Sequence, residues 1–268
     1  MEELTYVDGV YTTPHRPLAL MARMLPSLMF YQRCFMIVWR ASGLAKRGGY
    51  RTPEWCGSSL AILRALEGVG VRVEITGTEL FKALEGPCVF IANHMSTLET
   101  FVLPTIIAPV KDATFVVKQS LVDYPVFRYV MRSRDPITVG RSNPRDDLKA
   151  VLEGGTERLR AGRSIIIFPQ TTRTPVFDPE SFNTIGIKLA KRAGVPVVPV
   201  ALKTDAWGTG CILKDYGRID RSRRVYFAFG KPMRIRERGT EEHTQIIGFI
   251  SGKLKEWTAE ASTKEPTA

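Results

Sequence analysis

The sequence predicts an α/β fold: a mostly parallel central sheet flanked by helices, preceded by an amphipathic helical arm suited to membrane attachment. Two observations carry the prediction. Beyond residue 55, short apolar runs that read as strands alternate with segments whose apolar residues recur three or four apart. The runs themselves, SIIIF and VPVVPVAL among them, lack the in-out alternation of a half-exposed sheet, so both faces should be covered. A chain of 268 residues suits one large domain with a short appendage. We divide it into an arm over 1–54 and a domain over 55–260.

The arm holds the most apolar stretch, residues 18–40, but Arg23, Pro26 and the Gln32-Arg33 pair interrupt it. It therefore lacks the clean run of ~20 apolar residues that crosses a bilayer. Wound as one helix, Arg16, Arg23, Arg33 and Arg40 fall within roughly a third of the circumference, opposite Met, Leu, Phe and Trp. Pro26 can split the stretch into two helices. A basic stripe against a wide apolar face suits a helix lying in the membrane interface. The other reading is a helix packed on the domain core.

In the domain, a helix is expected over 57–67. Strands are expected at 71–76, 88–93, 114–118, 164–168, 195–202 and 224–229, and helices near 97–107, 145–161, 184–193 and 241–257. A further strand precedes Arg141. The closing STKEPTA reads as a disordered tail.

The formal charge of +11 points to an anionic partner: nucleic acid, an acidic membrane or a phosphorylated substrate. The basic residues are dispersed, and neither zinc-finger spacing nor an aromatic RNA-binding signature occurs, which argues against nucleic acid. The four cysteines, Cys34, Cys56, Cys88 and Cys211, form no Cys-x-x-Cys pair, so neither a metal site nor a disulfide framework is expected. The acidic amino terminus does not read as a secretory leader.

Three stretches carry candidate chemistry. In IANHMSTLETF an apolar strand ends at Asn93, placing His94 where open α/β sheets present ligands. Glu99 lies five residues on. Along one continuous helix the two side chains would diverge by about 140°, but a turn before the helix can bring the carboxylate to the imidazole. It would then fix the tautomer and leave the other nitrogen basic. Equally, Ser96-x-x-Glu99 is a capping box, and Glu99 can serve only backbone amides. In SIIIFPQTTRT, Thr172 and Arg173 follow a strand stopped by Pro169. Hydroxyls and a guanidinium there suit an anionic head group, and the turn's amides are candidates for stabilising an oxyanion. Lys118 and Arg141 each follow an apolar strand and would add positive charge to the same edge. No Gly-x-Ser-x-Gly elbow occurs and no cysteine lies beside a histidine, which disfavours a covalent acyl-enzyme.

Together these motifs resemble the glycerophospholipid acyltransferase family, whose best-known members acylate 1-acylglycerol-3-phosphate. The similarity covers roughly residues 70–202. Asn93, His94 and Glu99 match its first motif. Lys118, Pro125 and Arg141 echo the second. Phe168 to Arg173 resemble its Phe-Pro-Glu-Gly-Thr-Arg, and Val195, Pro196 and Pro199 its fourth. The resemblance implies that His94 is a general base held by Glu99, and that Lys118 and Arg173, with Arg141 and Thr172 nearby, bind the acceptor phosphate. It also implies a thioester donor, acyl-CoA or acyl carrier protein, and helical attachment to membrane lipids; we expect no cofactor or metal, and the dispersed cysteines point to the cytoplasmic face. Three departures stand out: Glu99 replaces the usual Asp, Arg128 stands where a small residue is common, and Gln170 and Thr171 replace an acid and a glycine. The last pair is expected to reshape the acceptor pocket. Two alternatives follow, another lyso-lipid acceptor or a non-catalytic protein that binds anionic lipid.

Overall fold

The apolar runs pair into one sheet. The computed structural model describes residues 3–170, 172–210 and 214–263. Among these, β1 (Tyr11–Thr12), β2 (Val73–Thr76), β3 (Val89–Ala92), β4 (Ala113–Lys118), β5 (Ile137–Val139), β6 (Ser164–Ile167), β7 (Val197–Lys203) and β8 (Val225–Phe229) lie in the order β1-β2-β8-β7-β3-β6-β4-β5. The contiguous strands β7, β3, β6, β4 and β5 all run in one direction, so their carboxyl ends share an edge. β8 reverses against β7, β2 runs parallel to β8, and β1 reverses again. The sheet is mostly parallel, as expected. Every residue of β3 and β6 is buried, which explains why neither strand alternates in polarity.

Alternate residues of these strands feed two apolar layers. Phe90, Ala92, Ile166 and Val200 face a layer built with α2 (Pro26–Lys46), α3 (Thr52–Glu67), α5 (Leu98–Ile107) and α7 (Phe127–Ser133). Val89, Ile91, Ile165 and Ile167 face α8 (Pro144–Arg160), α9 (Ile185–Ala193) and α10 (Thr240–Thr263). The helix expected near 57 begins at Thr52, because Pro53 is accommodated in its first turn and Glu54 accepts the Arg51 amide at 2.9 Å. Three short helices were not expected: α4 (Thr78–Lys82), α6 (Gln119–Asp123) and α7. The closing residues read as a disordered tail lie, from residue 264 on, outside the described residues.

In the N-terminal region, Pro26 divides the apolar stretch into α1 (Leu20–Met24) and α2, where it occupies the first turn. Phe30, Cys34 and Ala41 of α2 are buried against the core, whereas Leu28, Phe35, Met36 and Trp39 are exposed, as are Leu20, Met21 and Met24 of α1. Arg16, Arg23, Arg33 and Arg40 are all exposed. Tyr11 and Thr12 pair with β2, so this region also contributes a sheet edge, and residue 55 falls inside α3. Among the described residues no helix is long and apolar enough to cross a membrane.

Candidate active site

The shared carboxyl edge collects the end of every strand in the parallel block. Thr204 follows β7, His94 follows β3, Pro169 to Arg173 follow β6, Lys118 ends β4 and Arg141 follows β5. From β3 to β5 the rim spans three strand spacings, ~14 Å at about 4.8 Å each.

Asn93 sets the first side chain in place. Wholly buried, its amide donates to the Leu202 carbonyl and accepts the Leu202 N–H, both at 2.8 Å, so it extends the β3–β7 pairing through a side chain. The chain then turns at 94–97 before α5 begins, and the turn swings Glu99 back onto the His94 ring. Both readings of Glu99 hold, one for each oxygen. Oε1 accepts the amides of Met95 at 2.8 Å and Ser96 at 2.9 Å, the capping role, and the Thr204 hydroxyl at 2.5 Å. Oε2 meets His94 Nδ1. Ser96 Oγ donates to Thr204 Oγ1 at 2.9 Å and accepts the Leu98 amide at 3.1 Å.

This network decides the tautomer. A carboxylate with no exposed surface needs every lone pair met. Its Oε2 is met by a proton on Nδ1, which leaves Nε2 as the basic nitrogen. The imidazole is 14% exposed, so the base is shielded but reachable. Phe168 fixes the ring plane by stacking at 4.3 Å between centroids, with Phe115 behind it.

The turn after β6 is stapled to His94. The buried Gln170 accepts the His94 amide at 2.7 Å and donates to Thr174 Oγ1 at 2.8 Å, while the Thr174 amide donates to the His94 carbonyl at 3.0 Å. The Gln170 side chain turns inward and orders the backbone of His94. Thr171, and with it part of the oxyanion candidate, lies outside the described residues, and Thr172 is exposed. Arg173 Nη1 bonds Thr97 Oγ1 and pairs with Asp215 Oδ1 at 2.5 Å.

Arg141 adopts a left-handed φ of 60°, held by the Asp147 carboxylate, which accepts the amides of Gly140 and Arg141 at 2.8 and 2.9 Å. Its guanidinium is pushed below its ordinary pKa by partial burial; Asp147 opposes this, and the like charge of Arg173 adds to it. The two arginines therefore share one electrostatic neighbourhood. Lys118 stands exposed at the end of β4, on the same rim but without a bond to that cluster.

Sequence reasoning missed Thr204 and Asp215, and singled out Gln170 only as a departure from the motif, without its bond to His94. Burial pushes the thiols of Cys34 and Cys88 up to about 12 and that of Cys56 up to about 11, so these three are poor nucleophiles. Cys211 lies outside the described residues.

A histidine with its Nδ1 held by a buried carboxylate, beside a cationic turn, is an arrangement able to accept a proton at Nε2 next to an anion. Residues 72–203, just under half of the chain, match the Acyltransferase family model. The chain is 36% identical over 157 residues to a 1-acyl-sn-glycerol-3-phosphate acyltransferase of Pseudomonas aeruginosa, covering 58% of each protein. It is 29% identical over 142 residues to a chloroplastic 1-acyl-sn-glycerol-3-phosphate acyltransferase of Brassica napus, covering 53% of this chain and 39% of that protein. The matched regions thus span from about two-fifths to three-fifths of these relatives' lengths. The fold matches the crystal structure of the 1-acyl-sn-glycerophosphate acyltransferase PlsC from Thermotoga maritima with a TM-score of 0.63 at 20% identity, covering 89% of this chain and 97% of that one.

Proposed function

We propose that this protein is an O-acyltransferase. It moves a fatty acyl group from a thioester, acyl-CoA or acyl carrier protein, to the free hydroxyl of a lysophospholipid. The acceptor is 1-acylglycerol-3-phosphate and the product phosphatidic acid, in keeping with the names of the relatives. The carrying observation is the division of labour on Glu99, one oxygen capping α5 and the other holding His94 Nδ1, beside Arg173.

His94 Nε2 takes the proton of the acceptor hydroxyl as its oxygen attacks the thioester carbonyl. The imidazolium so formed is stabilised by Glu99. Collapse of the tetrahedral adduct breaks the carbon–sulfur bond, and the proton passes from His94 to the leaving thiolate. Arg173 grips the acceptor phosphate with a planar fork of donors, Thr172 lies beside it, and Lys118 and Arg141 contribute charge from neighbouring strand ends.

The test is acyl transfer from acyl-CoA to lysophosphatidic acid by the purified protein and by His94→Ala. We expect the variant to lose about 10²–10⁴-fold in kcat while its melting temperature stays close to wild type, because water can enter the vacated space. Near-full turnover by the variant would remove His94 from the mechanism.

The protein works at a membrane surface, at the cytoplasmic face. The exposed apolar residues of α1 and α2, with Arg16, Arg23, Arg33 and Arg40, support monotopic or peripheral attachment. Flotation with anionic vesicles should carry the wild-type protein, and Phe35→Ser with Trp39→Ser should leave most of it in the pellet fraction. Equal flotation of both would place the lipid contact elsewhere.

A further inference from the structure

Between β7 and β8 the chain makes an excursion whose two limbs are zipped together. Gly208 N–H donates to the Arg218 carbonyl at 3.0 Å and Asp220 N–H to the Ala206 carbonyl at 2.8 Å. Gly217 permits the approach, since a Cβ there would stand 1.9 Å from the Gly208 oxygen. The excursion is anchored on two helices. Trp207 stacks on Phe101 of α5 at 5.7 Å and donates its indole N–H to the Asp215 carbonyl at 2.9 Å. On α2, Tyr31 donates its hydroxyl to the Gly217 carbonyl, and Ser27 Oγ accepts the Ile219 amide at 3.0 Å.

This scaffold delivers Asp215 to the active site. Its Oδ1 pairs with Arg173 Nη1 at 2.5 Å and accepts from Thr97 Oγ1 at 3.2 Å. Arg173 is therefore neutralised by a carboxylate that contributes no bond to the His94–Glu99 network. The pair is half open to solvent, with side-chain exposures of 28% for Arg173 and 49% for Asp215, so it can be broken by a competing anion.

We propose that Asp215 is a latch on the acceptor site. It occupies the Arg173 guanidinium until the phosphate monoester of the acceptor displaces it, which sets the acceptor KM. This rests on the reading of Arg173 as a phosphate ligand. A monoester carries a charge of about −1.5 to −2 at pH 7 and three acceptor oxygens, enough to outcompete one carboxylate. An acceptor without the phosphate has nothing to exchange for Asp215 and leaves the latch shut. Asp215 is thus a specificity-determining residue that favours phosphate-bearing lyso-lipids.

The test compares wild type, Asp215→Asn and Arg173→Lys as full-length proteins, with a short-chain lysophosphatidic acid kept below its micellar concentration and saturating acyl-CoA. Asparagine keeps the shape and removes both the competition for Arg173 and the repulsion of the phosphate. We expect the acceptor KM of Asp215→Asn to fall roughly three- to fivefold at low ionic strength, with kcat within about twofold of wild type and the gain shrinking as salt is added. An unchanged or raised acceptor KM in Asp215→Asn, alongside a raised KM in Arg173→Lys, overturns the latch and leaves the phosphate reading intact. An acceptor KM unmoved by Arg173→Lys overturns both.

Discussion

The two halves of the candidate site are built on opposite physical plans. At the His94 end the groups that hold the imidazole are buried and committed: Glu99 has no exposed surface and takes four hydrogen bonds, and Asn93 bonds the Leu202 backbone. At the cationic end Lys118, Arg141 and Thr172 are exposed and Arg173 is partly so. The first plan sets a geometry and a tautomer before substrate arrives, which is where preorganisation is worth most. The second keeps charge in water, where it attracts an anion and can exchange partners, at the cost of a weaker interaction per contact. Substitutions at the two ends should therefore fail in different currencies, kcat at one and KM at the other.

Glu99→Gln should produce the largest effect. Its amide oxygen can still accept from Met95, Ser96 and Thr204, so the fold holds. Its NH₂ now faces His94 Nδ1, which must accept, and the ring proton moves to Nε2 where the base is needed. We expect kcat to drop about 10³–10⁴-fold, the scale seen when a triad histidine is forced into the wrong tautomer, with acceptor KM little changed and the melting temperature within a few degrees. A tenfold loss or less would mean that Glu99 serves mainly as the cap of α5. Glu99→Ala sharpens the point. It strands two buried amides and a hydroxyl, each worth about 1–3 kcal/mol, and should cost stability as well as rate.

That division was partly legible beforehand. His94 and Glu99 lie five residues apart on one strand-to-helix turn, so their meeting is a local matter of backbone geometry. Sequence allowed both roles for Glu99 but could not show that its two oxygens divide them. The remaining partners come from far along the chain. Thr204 reaches Glu99 across 105 residues and Gln170 reaches His94 across 76, and only the side-by-side placement of β7, β3 and β6 brings them together. One signal was available for Thr204: it directly follows the apolar Pro199-containing strand, which pairs with the strand leading to His94. The reversed direction of β8 was not readable, because a fully buried strand shows the same apolar run whichever way it runs. Nor were α4, α6 and α7, each too short for a helical period to show. Arg173 was identified from its motif, but its bond to Asp215 depends on an excursion whose path no local pattern encodes.

At the cationic end the effects should be smaller and graded by burial. Arg173→Ala should raise acceptor KM roughly 10–100-fold, the worth of a charge-assisted contact, with a modest effect on kcat. Lys118→Ala should do far less. Lys118 stands two strand spacings from His94, exposed and outside the Arg173–Arg141 cluster, so in the proposed reaction it would reach the phosphate only through screened charge. A two- to fourfold rise in KM is expected at low salt, vanishing as the Debye length falls to about 8 Å near 0.15 M. Acceptor KM measured across ionic strength separates the two cases. A Lys118→Ala penalty that persists at high salt would show that the lysine touches the phosphate directly, and that the cationic end closes around its substrate into something nearer the buried plan at His94.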